Sequence, residues 1–132
     1  MSHIPEGLHS VTPYLIVERA PDLIEFLEKA FGAEVTDRTD ADDGAIRHAS
    51  VRVSGSIIEI SEARGEWPPR PGSIHLYVED TDSAYAKAIS AGAESLFEPA
   101  DMPYGERGAG VLDSCGNHWY IATHTGVYAD AE

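Results

Sequence analysis

Long hydrophobic runs are missing from this sequence, basic side chains are few, and cysteine occurs once, at position 115. No apolar stretch nears the ~18 residues that a membrane-spanning helix needs, so a membrane role is excluded at this stage. The first ten residues, MSHIPEGLHS, carry neither the basic start nor the apolar stretch of a secretory leader, and Cys115 has no second cysteine to pair with. Both features lead us to expect a reducing, cytoplasmic setting. Nine Lys and Arg against twenty-three Asp and Glu give a formal charge of -14. That excess repels nucleic-acid phosphates and anionic lipid, and it concentrates cationic small molecules near the surface. A phosphate-binding loop is also lacking: the Gly-rich stretch EPADMPYGERGAG, residues 98–110, is not followed by Lys-Ser/Thr.

What the chain does contain is one plan used twice. With 132 residues it suits a single domain that buries roughly two-thirds of its unfolded surface. In the first half, PYLIVERAPDLIEFLEKAFGAEV runs from a strand into a helix whose Leu23, Phe26, Leu27, Ala30 and Phe31 form an apolar stripe. Pro21 suits the first turn of that helix and Gly32 its end. In the second half, HLYVEDTDSAYAKAISAGAESL repeats the pattern, with Thr81 or Asp82 as cap and Gly92 as stop. Val17-Glu18 answers to Val78-Glu79, and Gly32-Ala33-Glu34 to Gly92-Ala93-Glu94.

Three further strands follow in each half, over about 33–39, 45–53 and 56–62, then about 94–98, 108–112 and 117–124. The Pro- and Gly-rich segment at about 63–72 reads as a linker between a module at about 8–62 and another at about 73–126. The expected fold is therefore α+β: two β-α-β-β-β modules that curl into a half-barrel with a cleft inside, in one domain spanning residues 1–132. Trp67, in the linker, is expected to cover the core or a subunit contact.

Together with this doubled plan, the segments TPYLIVERAPDLIEFLEKAFGAE, LYVEDTDSAYAKAISAGAE, MPYGERGAGVLD and GNHWYIATH resemble the vicinal oxygen chelate superfamily. That superfamily includes glyoxalase I, the bleomycin-resistance proteins and the extradiol dioxygenases. The likeness covers about residues 8–126 and is nearest to the PhnB-like, glyoxalase-like branch. It implies a homodimer and, in the enzymes, a divalent metal held by His, Gln or Glu from the first and last strands of each half. Counted onto this chain, those positions fall on Thr12, Glu59, Ser73 and Tyr120, of which only Glu59 suits such a metal. The expectation is thus a cleft with no metal cofactor. The alternative is a displaced site at Glu59, His75 and His48 holding Zn, Ni, Mn or Fe.

Strand alternation sorts the remaining candidates. If Tyr120 faces the cleft, so do His118, Ala122 and His124, while Trp119 and Ile121 point at the helix. By the same parity Thr12, Tyr14 and Ile16 face it from the first strand, Ile57, Glu59 and Ser61 from the fourth, and Ser73, His75 and Tyr77 from the fifth. Tyr14, Tyr77 and Tyr120 give an aromatic lining with polar tips, suited to a flat ligand, or else they fill a barrel interior. Glu59, on the apolar strand SIIEIS, is a general base, a metal ligand, or half of an ion pair with Arg52 or Arg47. Residues 98–110 read as a loop capping the cleft, with Tyr104 and Arg107 available to a ligand, unless Arg107 pairs with a nearby acid. Cys115 lacks a spaced His or Asp partner and is read as incidental.

Two functions follow. The first is a binding module that holds a small aromatic or cationic organic molecule through Tyr14, His48, Glu59, His75, Tyr77, Tyr104, Arg107, His118, Tyr120 and His124. The second is a glyoxalase- or dioxygenase-like enzyme that uses the displaced metal or Glu59 as its base.

Overall fold

The computed structural model describes residues 2–129. The elements run β1 (Tyr14–Val17), α1 (Ala20–Phe31), β2 (Glu34–Asp40), β3 (Ile46–Val53), β4 (Ser56–Glu62), then β5 (Ser73–Tyr77), α2 (Thr81–Ser90), β6 (Glu94–Met102), β7 (Tyr104–Leu112) and β8 (His118–Tyr128). Each half is β-α-β-β-β, and the two sheets have matching orders, β1-β4-β3-β2 and β5-β8-β7-β6. The first strand of each half pairs in parallel with the last, and the other pairs are antiparallel. The fold is α+β, with two separate sheets that do not close on each other.

Helix α1 starts and stops where its sequence says. Pro21 lies in the first turn, the left-handed Gly32 ends the helix, and Leu23, Ile24, Phe26, Leu27 and Ala30 are buried. Its first amides are capped from outside the helix: the Glu62 carboxylate accepts from the N–H of Arg19 and of Ala20. In α2 the cap is Asp80, one residue before the expected Thr81 or Asp82; its carboxylate accepts from the Ser83 amide at 3.1 Å. Thr81 is instead buried, and its hydroxyl donates to the Arg107 carbonyl.

A single apolar cluster runs through both halves. It contains Leu23 and Leu27 of α1, Val51 and Ile60 of the first sheet, and Leu76, Val111, Trp119 and Ile121 of the second. The two helices pack on each other. The core therefore lies on the helix side of both sheets, which leaves the opposite faces open.

The second hairpin departs from expectation. Residues 98–110 do not form a capping loop; they extend β6 and β7, which meet in a tight turn at Pro103. The prolines and glycines that suggest a loop occupy register shifts and close contacts within the sheet. A β carbon at Gly110 would stand 2.5 Å from the Phe97 ring, and one at Gly105, whose φ is 90°, would meet the Tyr128 ring at 2.6 Å. Glycine in a strand here marks an aromatic ring lying across the backbone.

Candidate functional site

The open faces carry the side chains that alternation assigns to them. In β8, Trp119 and Ile121 are fully buried, whereas His118 and Tyr120 are half-buried on the other side. In β4, Ile58 and Ile60 enter the core while Ile57, Glu59 and Ser61 do not. Each sheet then gathers its own polar cluster.

On the first sheet, β1 and β4 pair so that Tyr14 stands opposite Glu59. Ser50 of β3 is the other neighbour of Glu59, and His48, two residues away on the same face, reaches it: His48 Nε2 and Glu59 Oε1 are 2.6 Å apart. Glu59 is thus paired with His48; Arg52 turns to Glu34, and no ion pair forms at Arg47 among the described residues. The Tyr14 and His48 rings lie 6.0 Å apart. Beside them opens a groove of about 770 Å³ lined by Tyr14, Ile16, Arg47, Ser61, Arg64 and Trp67 among others. Trp67 is held there by a tight turn in which it bridges Arg64, and the linker then docks on β1 through the Arg70 amide and the Ile16 carbonyl. At 59% exposure Trp67 is no lid on the core; it is a wall of this groove.

On the second sheet, the cluster is His75 and Tyr77 of β5 with Glu106 of β7. Glu106 must reach across β8 to meet them, and small residues give it room: Gly108, Ala122 and Tyr77 lie in one register row. His75 Nε2 is 3.2 Å from one carboxylate oxygen, and the Tyr77 hydroxyl donates to the other at 3.3 Å. Partial desolvation, and after it the Glu106 charge, push the Tyr77 phenol above its ordinary pKa. Tyr120 stacks on Phe97 with centroids 6.3 Å apart and touches His118 through its hydroxyl. His124 and Tyr104 are exposed near the far end of the sheet.

Arg107 is not on this face. It projects to the helix side of β7, where its guanidinium is bonded to Asp82 and Asp101. These two carboxylates raise its pKa further, and Arg107 in turn lowers that of Asp82. Such a residue anchors α2 to β7 and is not free to clamp a ligand in the cleft. Cys115 is likewise a structural contact, its thiol close to the carbonyls of Glu18 and Arg19, and burial pushes its pKa up to about 11, away from the reactive thiolate.

Two features escaped the sequence reading. Glu106 was hidden because its segment looked like a loop, although strand parity with Gly108 and Gly110 would have placed it on the open face. The pairing of His48 with Glu59 follows from the β3–β4 hairpin register and needed only the Ser54-Gly55 turn to fix it.

The metal positions implied by resemblance do not converge into a site. Thr12, Ser73 and Tyr120 are poor donors, Glu59 is engaged by His48, and His75 is engaged by Glu106. Among the described residues, no group of three or more His, Cys, Asp or Glu side chains is placed to hold a metal ion. The donor set therefore does not fit the metal of the enzymes, including the displaced arrangement at Glu59, His75 and His48. No helix among the described residues is long and apolar enough to cross a membrane.

Comparison with known proteins agrees with this architecture. The chain is 31% identical over 123 residues to the uncharacterized protein Mb0911c of Mycobacterium bovis, covering 85% of this chain and 81% of that one. Among solved structures, TioX from Micromonospora sp. ML1 superposes with a TM-score of 0.70 at 22% identity, covering 87% of this chain and 99% of TioX. A PhnB protein from Bacillus cereus gives the same TM-score at 16% identity, covering 87% and 99%. At these identities the two structures speak for the fold alone. The doubled β-α-β-β-β plan is matched in sequence as well, because residues 7–121 fit the profile of one family across both halves, and on that ground the chain belongs to the Glyoxalase/Bleomycin resistance protein/Dioxygenase superfamily.

Proposed function

We propose that this protein binds a small, flat organic molecule on the open faces of its sheets, in the manner of the bleomycin-resistance branch and without a metal. The observation that carries this reading is the groove of about 770 Å³, with Tyr14 and Trp67 on its walls beside the His48–Glu59 pair. Exposed aromatic rings with polar neighbours offer stacking area and a few directional hydrogen bonds, the usual composition of a small-molecule site. A homodimer in the cytoplasm is part of the same reading.

Trp67 provides the test. Titration with flat aromatic compounds should change the emission of this exposed tryptophan, and a ligand at a hundredfold its Kd should stabilise the fold by about 2.7 kcal/mol. Both effects should vanish in Tyr14→Ala and Trp67→Ala. Binders whose stabilising effect survives in both variants would overturn the reading.

The 2.6 Å approach of His48 to Glu59 favours one alternative, an enzyme in which this pair accepts and returns a substrate proton. In either case protein purified without chelator is expected to carry no stoichiometric metal. Stoichiometric Zn, Ni, Mn or Fe that is lost on Glu59→Gln would sink the metal-free reading.

A further inference from the structure

The two His–Glu pairs look alike but are not equivalent. His48 and Glu59 close to 2.6 Å, whereas Glu106 is approached only at 3.2 Å by His75 and 3.3 Å by Tyr77. Charge-assisted hydrogen bonds usually close to about 2.7–2.9 Å. Glu106 is also the more deeply placed, its side chain 11% exposed against 27% for Glu59. A carboxylate withdrawn from water needs a counter-charge or short hydrogen bonds. No Lys or Arg bonds to it among the described residues, since its neighbour Arg107 is held by Asp82 and Asp101 on the other side of the strand.

One phenol, Tyr77, bonds this under-compensated carboxylate, and two more lie at the adjoining end of the sheet, Tyr104 at the start of β7 and Tyr128 at the end of β8. Tyr77, Tyr104 and Tyr128 are 54%, 60% and 64% exposed, so their rings are free to meet a ligand. Tyr104 and Tyr128 are cross-strand partners on β7 and β8, two residues along β7 from Glu106. The Tyr128 ring is laid against Gly105, where any β carbon would clash with it.

We propose that Glu106, with His75 and the rings of Tyr77, Tyr104 and Tyr128, forms a binding site for an organic ammonium ion. The carboxylate supplies the counter-charge, and the electron-rich ring faces attract the cation, each at a strength that grows as water is excluded. Choline-like quaternary ammonium groups fit this chemistry better than a bare metal ion, because the site offers one carboxylate and one imidazole as donors and otherwise apolar ring faces. The net charge of -14 draws such cations toward the protein from a distance. This site lies on the second sheet and does not rest on the groove of the first.

Calorimetric titration with choline, and with dimethylbutanol as its uncharged isostere in which carbon replaces nitrogen, tests the assignment. Choline should bind and the isostere should bind at least about tenfold more weakly. Glu106→Gln keeps the shape and a partner for His75, and it should weaken choline at least about tenfold. Tyr104→Leu, at an exposed position that should leave folding intact, should weaken it severalfold, and far-ultraviolet circular dichroism checks the fold of both variants. Trp67→Ala should change nothing, which separates this site from the groove. Absence of choline binding at tens of millimolar, equal affinity for the isostere, or an unchanged affinity in folded Glu106→Gln would each overturn the proposal.

Discussion

Replacing Asp113 by alanine is expected to cost about 3–5 kcal/mol of folding stability, one of the largest effects available to a single polar residue in this chain. Asp113 is buried between β7 and β8, and its carboxylate accepts five hydrogen bonds from four donors. These come from the Trp119 indole at 2.8 Å, the Asn117 side-chain amide at 3.3 and 3.0 Å, and the backbone amides of Cys115 and Asn117 at 2.9 and 3.0 Å. Asn117, itself fully buried, passes the order on: its side-chain oxygen accepts from the Gly72 amide, which places the start of β5 beside β8. Alanine would leave the indole and the Asn117 amide without partners in a dry interior, and a buried donor left unmatched costs its full desolvation. Asp113→Asn should be milder, since the oxygen that accepts three of the five bonds can be kept and only the two bonds to the other, from the Trp119 indole and the Asn117 amide, are lost. Urea unfolding followed by circular dichroism measures both. A loss below about 1 kcal/mol for the alanine variant would mean that water enters and replaces the carboxylate.

Much of this architecture was legible because its signals are periodic. The helical stripe of α1 and the alternation in SIIEIS and HWYIA state which side chains face the core, and Ile58, Ile60, Trp119 and Ile121 are buried as alternation requires. The repeat of Val-Glu and Gly-Ala-Glu in both halves gives the doubling. The signal fails at residues 98–110, where Pro99, Pro103 and three glycines resemble loop composition yet all but the turn at Pro103 is strand. Two of those glycines, Gly105 and Gly110, answer to tertiary contacts with the rings of Tyr128 and Phe97, and a single sequence carries no sign of what lies across a strand. The site followed the same division. Residues on regular strands, Tyr14, Glu59, His75, Tyr77 and Tyr120, were placed by parity on the faces where they are found. Glu106 lies in the segment whose composition resembles a loop, and of the two roles open to Arg107, a ligand clamp or a partner for a nearby acid, the structure takes the second, with Asp82.

Trp119→Ala is expected to be as costly as the loss of Asp113, about 3–5 kcal/mol, and to act on both halves together. Trp119 belongs to the second half but packs against the first: it is fully buried, and its ring lies 5.4 Å from that of Phe31 at the end of α1, which in turn meets Phe26 edge-on at 5.8 Å. Removing the indole opens a cavity where the two modules share their core, and it also takes from Asp113 its one side-chain partner outside Asn117. The two halves should therefore unfold in a single transition, with circular dichroism and the emission of Trp67 falling at the same urea concentration and shifting together in the variant. Separate transitions, or a variant in which Trp67 reports an unchanged first half, would refute a shared core. A double-mutant cycle with Phe31→Ala should show a coupling of roughly 0.5–1.5 kcal/mol, because the aromatic contact is lost once in either background. The same substitution bears on the candidate site. Strand alternation ties the buried face of β8 to its open face, so a β8 loosened at Trp119 can no longer hold His118 and Tyr120 in register. Ligand affinity should fall in Trp119→Ala even at temperatures where the fold persists, although Trp119 touches no ligand.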